Sequence, residues 1–314
     1  MFENFIFSLN VTLPVFLVIA LGKFLNKVGL FSDEFAKSAD KLAFRALIPV
    51  LMFRDIAGMD FKKDFDVKFV AFCAITSFVM FCGVWLFSAV CLKDKSMVGA
   101  FSQGSARGSA AVLGIALATN IYGSSGHAPL MVLAAVPVFN VMSVVILAFS
   151  SENGRKNINI LKILKGIITN PIILGILCGV PFSVFDITLP AALSSAVDSV
   201  AKTATPIALL SIGASFSLAS AKSRLSPALA ASFVKLVVLP VVFLPVAIYL
   251  GFSGSALVSI FVMLGSPSTV TCYIMAKNMD NDHILASNIV MISTLLSSVS
   301  VTVFVFLLKY FSLI

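Results

Sequence analysis

One arginine and two runs of small residues carry the chemistry that can be read from this chain. Arg107 stands inside an apolar stretch, 98–121, beside Gly104, Ser105, Gly108, Ser109 and Gly114. A second apolar stretch, 255–277, is interrupted at matching depth by Gly265, Ser266, Pro267, Ser268, Thr269 and Thr271. Proline removes a backbone donor and clashes with the preceding turn, and glycine tolerates non-helical dihedrals, so each stretch is predicted to break as a helix. In a bilayer the freed backbone groups can be partnered only by protein, water or a bound solute. Two such breaks brought together form a polar pocket in apolar surroundings. For either run alone, close helix packing is the competing explanation, and the Gly104 to Gly108 spacing serves that equally well.

A guanidinium near the bilayer centre costs about 2.5–3.5 kcal/mol on insertion scales, so Arg107 must face the bundle interior and meet a partner. No Asp or Glu lies between Lys95 and Ser151. An anionic solute is the partner this favours, helped by the positive N-terminal ends of broken half-helices. A distant acid, or snorkelling to an interface, would also satisfy the charge. The candidate substrate contacts are Ser105, Arg107, Gly108 and Ser109 from the first run and Ser266, Pro267, Ser268 and Thr269 from the second. Asn140, embedded in stretch 128–149, joins them, although an Asn there also serves as interhelical glue. Pro49 and Pro206 are expected to shape the surface facing the pocket.

The elements that must position these residues follow from composition. With 59% hydrophobic and 11% charged residues in 314, the chain reads as an all-α integral membrane protein. Ten apolar stretches can be placed, at 5–24, 42–58, 68–91, 98–121, 128–149, 167–184, 198–218, 227–250, 255–277 and 284–309. Only Glu3 precedes the first as a charge, and no cleavage site follows it, so it is expected to be retained. Shifted by 157 residues, the chain sets Pro14 on Pro171, Gly22 on Gly179, Pro49 on Pro206, Gly108 on Gly265 and Ser109 on Ser266. Two halves, 1–157 and 158–314, thus carry five spans each. Five is odd, so the second half must lie inverted, with spans 4 and 9 as its interrupted pair.

Charge gives orientation. Connections after odd spans hold Lys23, Lys27, Lys37, Lys41, Arg45, Lys93, Lys95, Arg155, Lys156, Lys162, Lys165, Lys222, Arg224 and Lys277. The other side holds mainly Arg54, Lys62, Lys63 and Lys68, with Lys202 and Lys309 near span ends. The positive-inside bias places the first set in the cytoplasm and both termini outside. The net charge of +8 is then accounted for by topology and anionic lipid, with no nucleic acid partner. Lys235, in span 8, is read as snorkelling to the cytoplasmic interface. Asp198 and Lys202 can pair at i, i+4. His127 and His283 fall in short loops. The five cysteines, embedded in apolar runs, read as free thiols. No metal site, cofactor site or nucleotide-binding loop is expected, and with no HExxH or GxSxG arrangement an embedded enzyme has little support.

The strings ITNPIILGILCGV (168–180), ATPIALLSIGASFSL (204–218), VPVFNVMSVVIL (136–147) and LGSPSTVTCYIMAKNMD (264–280) resemble helices of the auxin efflux carrier family, which includes plant auxin exporters and bacterial malate or malonate carriers. The resemblance spans essentially the whole chain, and the short central connection, 151–166, is similar to the bacterial branch. It implies an inverted five-plus-five fold related to the bile-acid sodium symporter group. Helices 1, 2, 6 and 7 would form a scaffold and helices 3–5 and 8–10 a transport domain, sliding in an elevator-like motion, with a homodimer formed through the scaffold. Ser109 stands where relatives tend to have Asn, and Ala116 where they tend to have Pro.

These readings converge on a secondary transporter of a small carboxylate-bearing anion in the cytoplasmic (inner) membrane, not an enzyme. A passive anion channel is the alternative. The direction of transport and the coupling ion are left open.

Overall fold

Short polar side chains start several helices by accepting a main-chain N–H that the helix itself cannot satisfy. Ser32 accepts from Phe35, Asp66 from Phe69, Asn170 from Ile172 and Asp282 from Leu285. In the computed structural model, 84% of the chain is helix, with no strand among the described residues. The structure describes residues 2–58, 66–110, 117–118, 121–122, 124, 126–151, 160–215 and 218–314. Gly114 and Ala116, Lys62 and Lys63, Arg155 and Lys156, and the junction of the two halves at 157/158 lie outside the described residues.

The helices run in order as α1 (Phe2–Lys27), α2 (Asp33–Leu42), α3 (Ile48–Ala57), α4 (Val67–Cys91), α5 (Val98–Ala106), α6 (Ala128–Ser150), α7 (Ile160–Ile168) and α8 (Pro171–Val184). They continue as α9 (Ala191–Ser215), α10 (Leu218–Ser223), α11 (Leu225–Phe233), α12 (Leu239–Tyr249), α13 (Gly254–Gly265), α14 (Val270–Asn278) and α15 (His283–Tyr310). Wide π-helical turns join α2 to α3 at Ala43–Leu47 and α11 to α12 at Val234–Val238. Each precedes a proline, Pro49 or Pro240, whose missing N–H cannot continue the regular ladder.

Five helical segments among the described residues are long and apolar enough to cross a bilayer: Val67–Cys91, Ala128–Ser150, Leu225–Tyr249, Gly254–Asn278 and His283–Tyr310. Pro171–Val184 is apolar but shorter. The remaining apolar stretches lose length or hydropathy for local reasons. α9 begins with a polar amphipathic segment around Asp198 and Lys202, α3 starts only after the π turn, and α5 stops at Ala106.

Packing divides the bundle. α1 lies along α9, and α3 along α8, around a core of Ile48, Ile56, Ile172 and Ile212. α4 packs on α5 and α6, α11 on α15, and α12 on α13, around a second core of Phe69, Phe81, Phe139 and Phe261. Polar contacts gather at the two ends. At one end the Arg224 Nε lies 2.8 Å from Asp282 and its Nη2 3.4 Å from Asp94, and Lys277 pairs with Asp40. At the other, Lys68 Nζ donates to the Leu250 carbonyl at 2.6 Å, His127 Nδ1 meets Ser255 Oγ at 2.7 Å, and Gly254 N–H donates to Leu313 O at 2.9 Å. Connections after the first, third, seventh and ninth apolar stretches therefore share one end. Asp198 pairs with Lys202 in α9 and, across to α3, with Arg54 at 3.2 Å. The five cysteines are free; Cys73 and Cys272 are buried and Cys91 and Cys178 are exposed.

Candidate functional site

Two helices stop in the interior and their ends meet. α5 ends at Ala106 and residues 107–109 are non-helical; α13 ends at Gly265, residues 266–269 are non-helical with Ser266 and Thr269 extended, and α14 begins at Val270. The two interruptions are joined directly, Ser109 N–H donating to the Pro267 carbonyl at 2.8 Å. Ser268 N–H, released from the helical ladder, donates to Ser293 Oγ of α15 at 3.0 Å.

Arg107 is buried at this junction, 4% exposed. Its Nη2 donates to Asn140 Oδ1 at 2.6 Å, its Nε to Thr269 Oγ1 at 3.1 Å and its Nη1 to Ser143 Oγ at 3.5 Å. Asn140 is held in turn, Nδ2 donating to the Val136 carbonyl at 2.9 Å along α6. All of these partners are neutral. The ion pairs formed among the described residues use Arg54, Lys202, Arg224 and Lys277 instead. Thr269 is the residue preceding α14, and its hydroxyl, engaged by Arg107, does not cap that helix. The first-turn amides of α14 thus add their partial positive charge beside the guanidinium. Such an arrangement attracts an anion.

The structure brings Ser105, Arg107, Gly108, Ser109, Asn140, Ser266, Pro267, Ser268 and Thr269 into one neighbourhood, with differing roles. Ser105 and Ser266 are fully buried and their hydroxyls have no hydrogen-bond partner. Ser268 Oγ donates to Cys272 Sγ at 3.3 Å. Gly108 lies so close to Ser266 and Lys235 that a Cβ on it would come within 2.9 Å of the Lys235 Nζ. Pro49 and Pro206 lie outside this bonded group. Pro49 sits in α3 with its carbonyl against Gly175 of α8, and Pro206 is on the exposed side of α9.

Lys235 corrects the sequence reading. It does not snorkel; its side chain is fully buried, Nζ donating to the carbonyls of Ala106 at 2.9 Å and Met263 at 3.1 Å. Depth was the available signal. Eight residues into a span beginning at 227, it lies about 12 Å along the helix, beyond the reach of a lysine to that interface. Gln103 is a second residue missed, its Nε2 lying 3.2 Å from the sulfur of Met275.

A second polar group stands at the end of the bundle where α14 terminates. Lys277 pairs with the buried Asp40 of α2 and donates to Tyr273 at 2.7 Å. Burial pushes the Asp40 carboxyl above the usual carboxylate range, against the opposing pull of the Lys277 ammonium.

An all-helical bundle with several bilayer-length apolar helices, whose interrupted members meet around a buried cation, defines a multi-pass membrane transporter. The model of the family described as "Membrane transport protein" matches residues 7–305, and an uncharacterized transporter of Methanothermobacter thermautotrophicus is 22% identical over 300 residues, 94% of this chain and 97% of its own length. The chain belongs to the membrane transport protein family, the auxin efflux carrier family that its motifs resemble.

Proposed function

We propose that this chain is a secondary transporter carrying a small organic anion, with a carboxylate group, across the cytoplasmic membrane. The observation that carries this reading is the buried guanidinium of Arg107, which among the described residues meets only neutral side chains, those of Asn140, Thr269, Ser143 and Met275, at the mouth of an uncapped helix. Three donors positioned by neutral acceptors keep the charge uncancelled, so an entering carboxylate gains the full attraction of the ion and displaces no internal acid. The unpartnered hydroxyls of Ser105 and Ser266 are available to complete its hydrogen bonds.

In this reading ten spans form two inverted five-helix repeats. Gly22 of α1 packs against the backbone of Leu210 in α9, and Gly179 of α8 against that of Phe53 in α3. The 157-residue shift carries Gly22 onto Gly179 and Phe53 onto Leu210, so the two contacts exchange under the repeat operation, which supports the symmetry. The α1, α3, α8 and α9 group is then the scaffold and dimer surface, and the interrupted helices with α4, α6, α11, α12 and α15 form the body that slides. Alternating access requires two arrangements of similar energy, which related halves provide. With the lysine-rich connections in the cytoplasm, both termini are outside.

The test is counterflow in proteoliposomes loaded with candidate mono- and dicarboxylates. The purified chain exchanges labelled anion faster when unlabelled anion is present on the far side; Arg107→Ala loses exchange while remaining folded by thermal denaturation. Flux without that acceleration would establish a channel, and normal exchange by Arg107→Ala would remove the assigned role.

A further inference from the structure

We infer that the ammonium of Lys235 is a tethered cation, occupying the place where a free monovalent ion would otherwise be required to neutralise the carbonyl ends of the two interrupted helices. The crossing of the two interrupted helices therefore needs no sodium ion. This deepens the transport reading of the same crossing, but its stability arm stands independently of any substrate.

Two carbonyls at the crossing lack helical donors. Within α13 the oxygen of Met263 would ordinarily accept from the N–H of residue 267, but that residue is proline and has none. Ala106 closes α5, and the chain leaves the helix over 107–109, so its oxygen loses the ladder partner four residues on. Both oxygens receive a bond from Lys235 Nζ, at 2.9 Å and 3.1 Å. Each helix C-terminus carries about half a negative charge, so two that converge are matched by a single ammonium. Backbone carbonyls at broken-helix ends are also the ligands that membrane transporters offer to alkali cations.

The surroundings suit an ion more than an ion pair. Lys235 is fully buried, and the ion pairs formed among the described residues do not include it. The ring of Phe139 lies 5.9 Å from Nζ, and the unpartnered Ser266 hydroxyl lies beside Gly108 at the same spot. The π-helical turn at Val234–Val238, closed by the Leu239 N–H to Val234 O bond, is the element that presents Lys235. Its one extra residue per turn reorients the following helix face, a device common at functional sites.

The experiment compares the purified wild type with Lys235→Ala and Lys235→Met in sodium, potassium, choline and methylammonium chloride at equal ionic strength. The wild type melts at one temperature in all four. Lys235→Ala melts about 5 °C or more lower in choline, and is restored by sodium, potassium or methylammonium, small cations that fit the vacated space. Lys235→Met, which keeps the stem volume without the charge, falls in choline as the alanine variant does. Equal stability of either variant and wild type in choline overturns the inference, as does a loss in Lys235→Ala that no cation restores. Where neither variant folds, the wild type decides. Counterflow unchanged when choline replaces sodium on both sides supports the inference, and a tenfold loss overturns it. Absence of carboxylate counterflow in every salt would instead remove the transport reading, leaving the melting comparison to judge Lys235.

Discussion

A buried guanidinium is costly unless its donors are satisfied, and at Arg107 neutral oxygens do that work without cancelling the charge. Asn140 is the shortest of these contacts and is itself anchored to the Val136 carbonyl, so it sets the direction of the fork. Asn140→Ala leaves Nη2 unpaired and disorders that direction, a loss of about 1.5 kcal/mol that appears as roughly tenfold weaker anion affinity. A substrate-titrated thermal shift measures it, and unchanged affinity would show that Asn140 only joins helices. Arg107 was legible in the sequence because a lone charge in an apolar run needs an explanation. Lys235 was misread for the opposite reason. A lysine stem can reach an interface from some depth, and only its position beyond that reach separates the two outcomes.

At the scale of the element, the interruption at 266–269 keeps Met263 O free of its helical donor and exposes the first turn of α14 beside Arg107. Pro267→Ala returns an N–H to residue 267, which competes with Lys235 for Met263 O and favours a continuous helix. Removing a proline from a helical context is worth up to about 3 kcal/mol. The melting temperature is expected to hold or rise while the exchange rate falls about tenfold or more, a barrier increase of about 1.4 kcal/mol or more. A variant both stable and fully active would show that the break is dispensable. The Gly265 to Thr269 run announced this break in the sequence. The direct bond from Ser109 to the Pro267 carbonyl was not legible there, because it joins segments 158 residues apart.

For the whole molecule, the contact to watch is Asp40 with Lys277, which ties α2 to the far end of α14. Asp40 is 3% exposed, so Lys277→Gln strands a buried carboxylate and costs about 3 kcal/mol, whereas Asp40→Asn with Lys277→Gln recovers most of it. A double-mutant cycle of thermal denaturation checks this, and additive effects would mean the pair is not coupled. If α14 slides past α2 during transport, the double variant also exchanges anion at a rate different from wild type, because a bond present in only one arrangement has been removed. An identical rate would place the movement elsewhere.

Composition and spacing were enough to read the solvent of this protein, its all-helical class, the two interruptions and the one arginine between them. Those are local quantities: hydropathy over twenty residues, a missing N–H at proline, a charge without a neighbour in sequence. The tertiary structure decided which interrupted ends converge, that Arg107 is held by Asn140, Ser143 and Thr269 and not by an acid, and that Lys235 turns inward to two carbonyls. No local pattern encodes these partners, because each is chosen by helices that meet only after packing. In a bilayer every buried donor must then take whatever acceptor that packing presents.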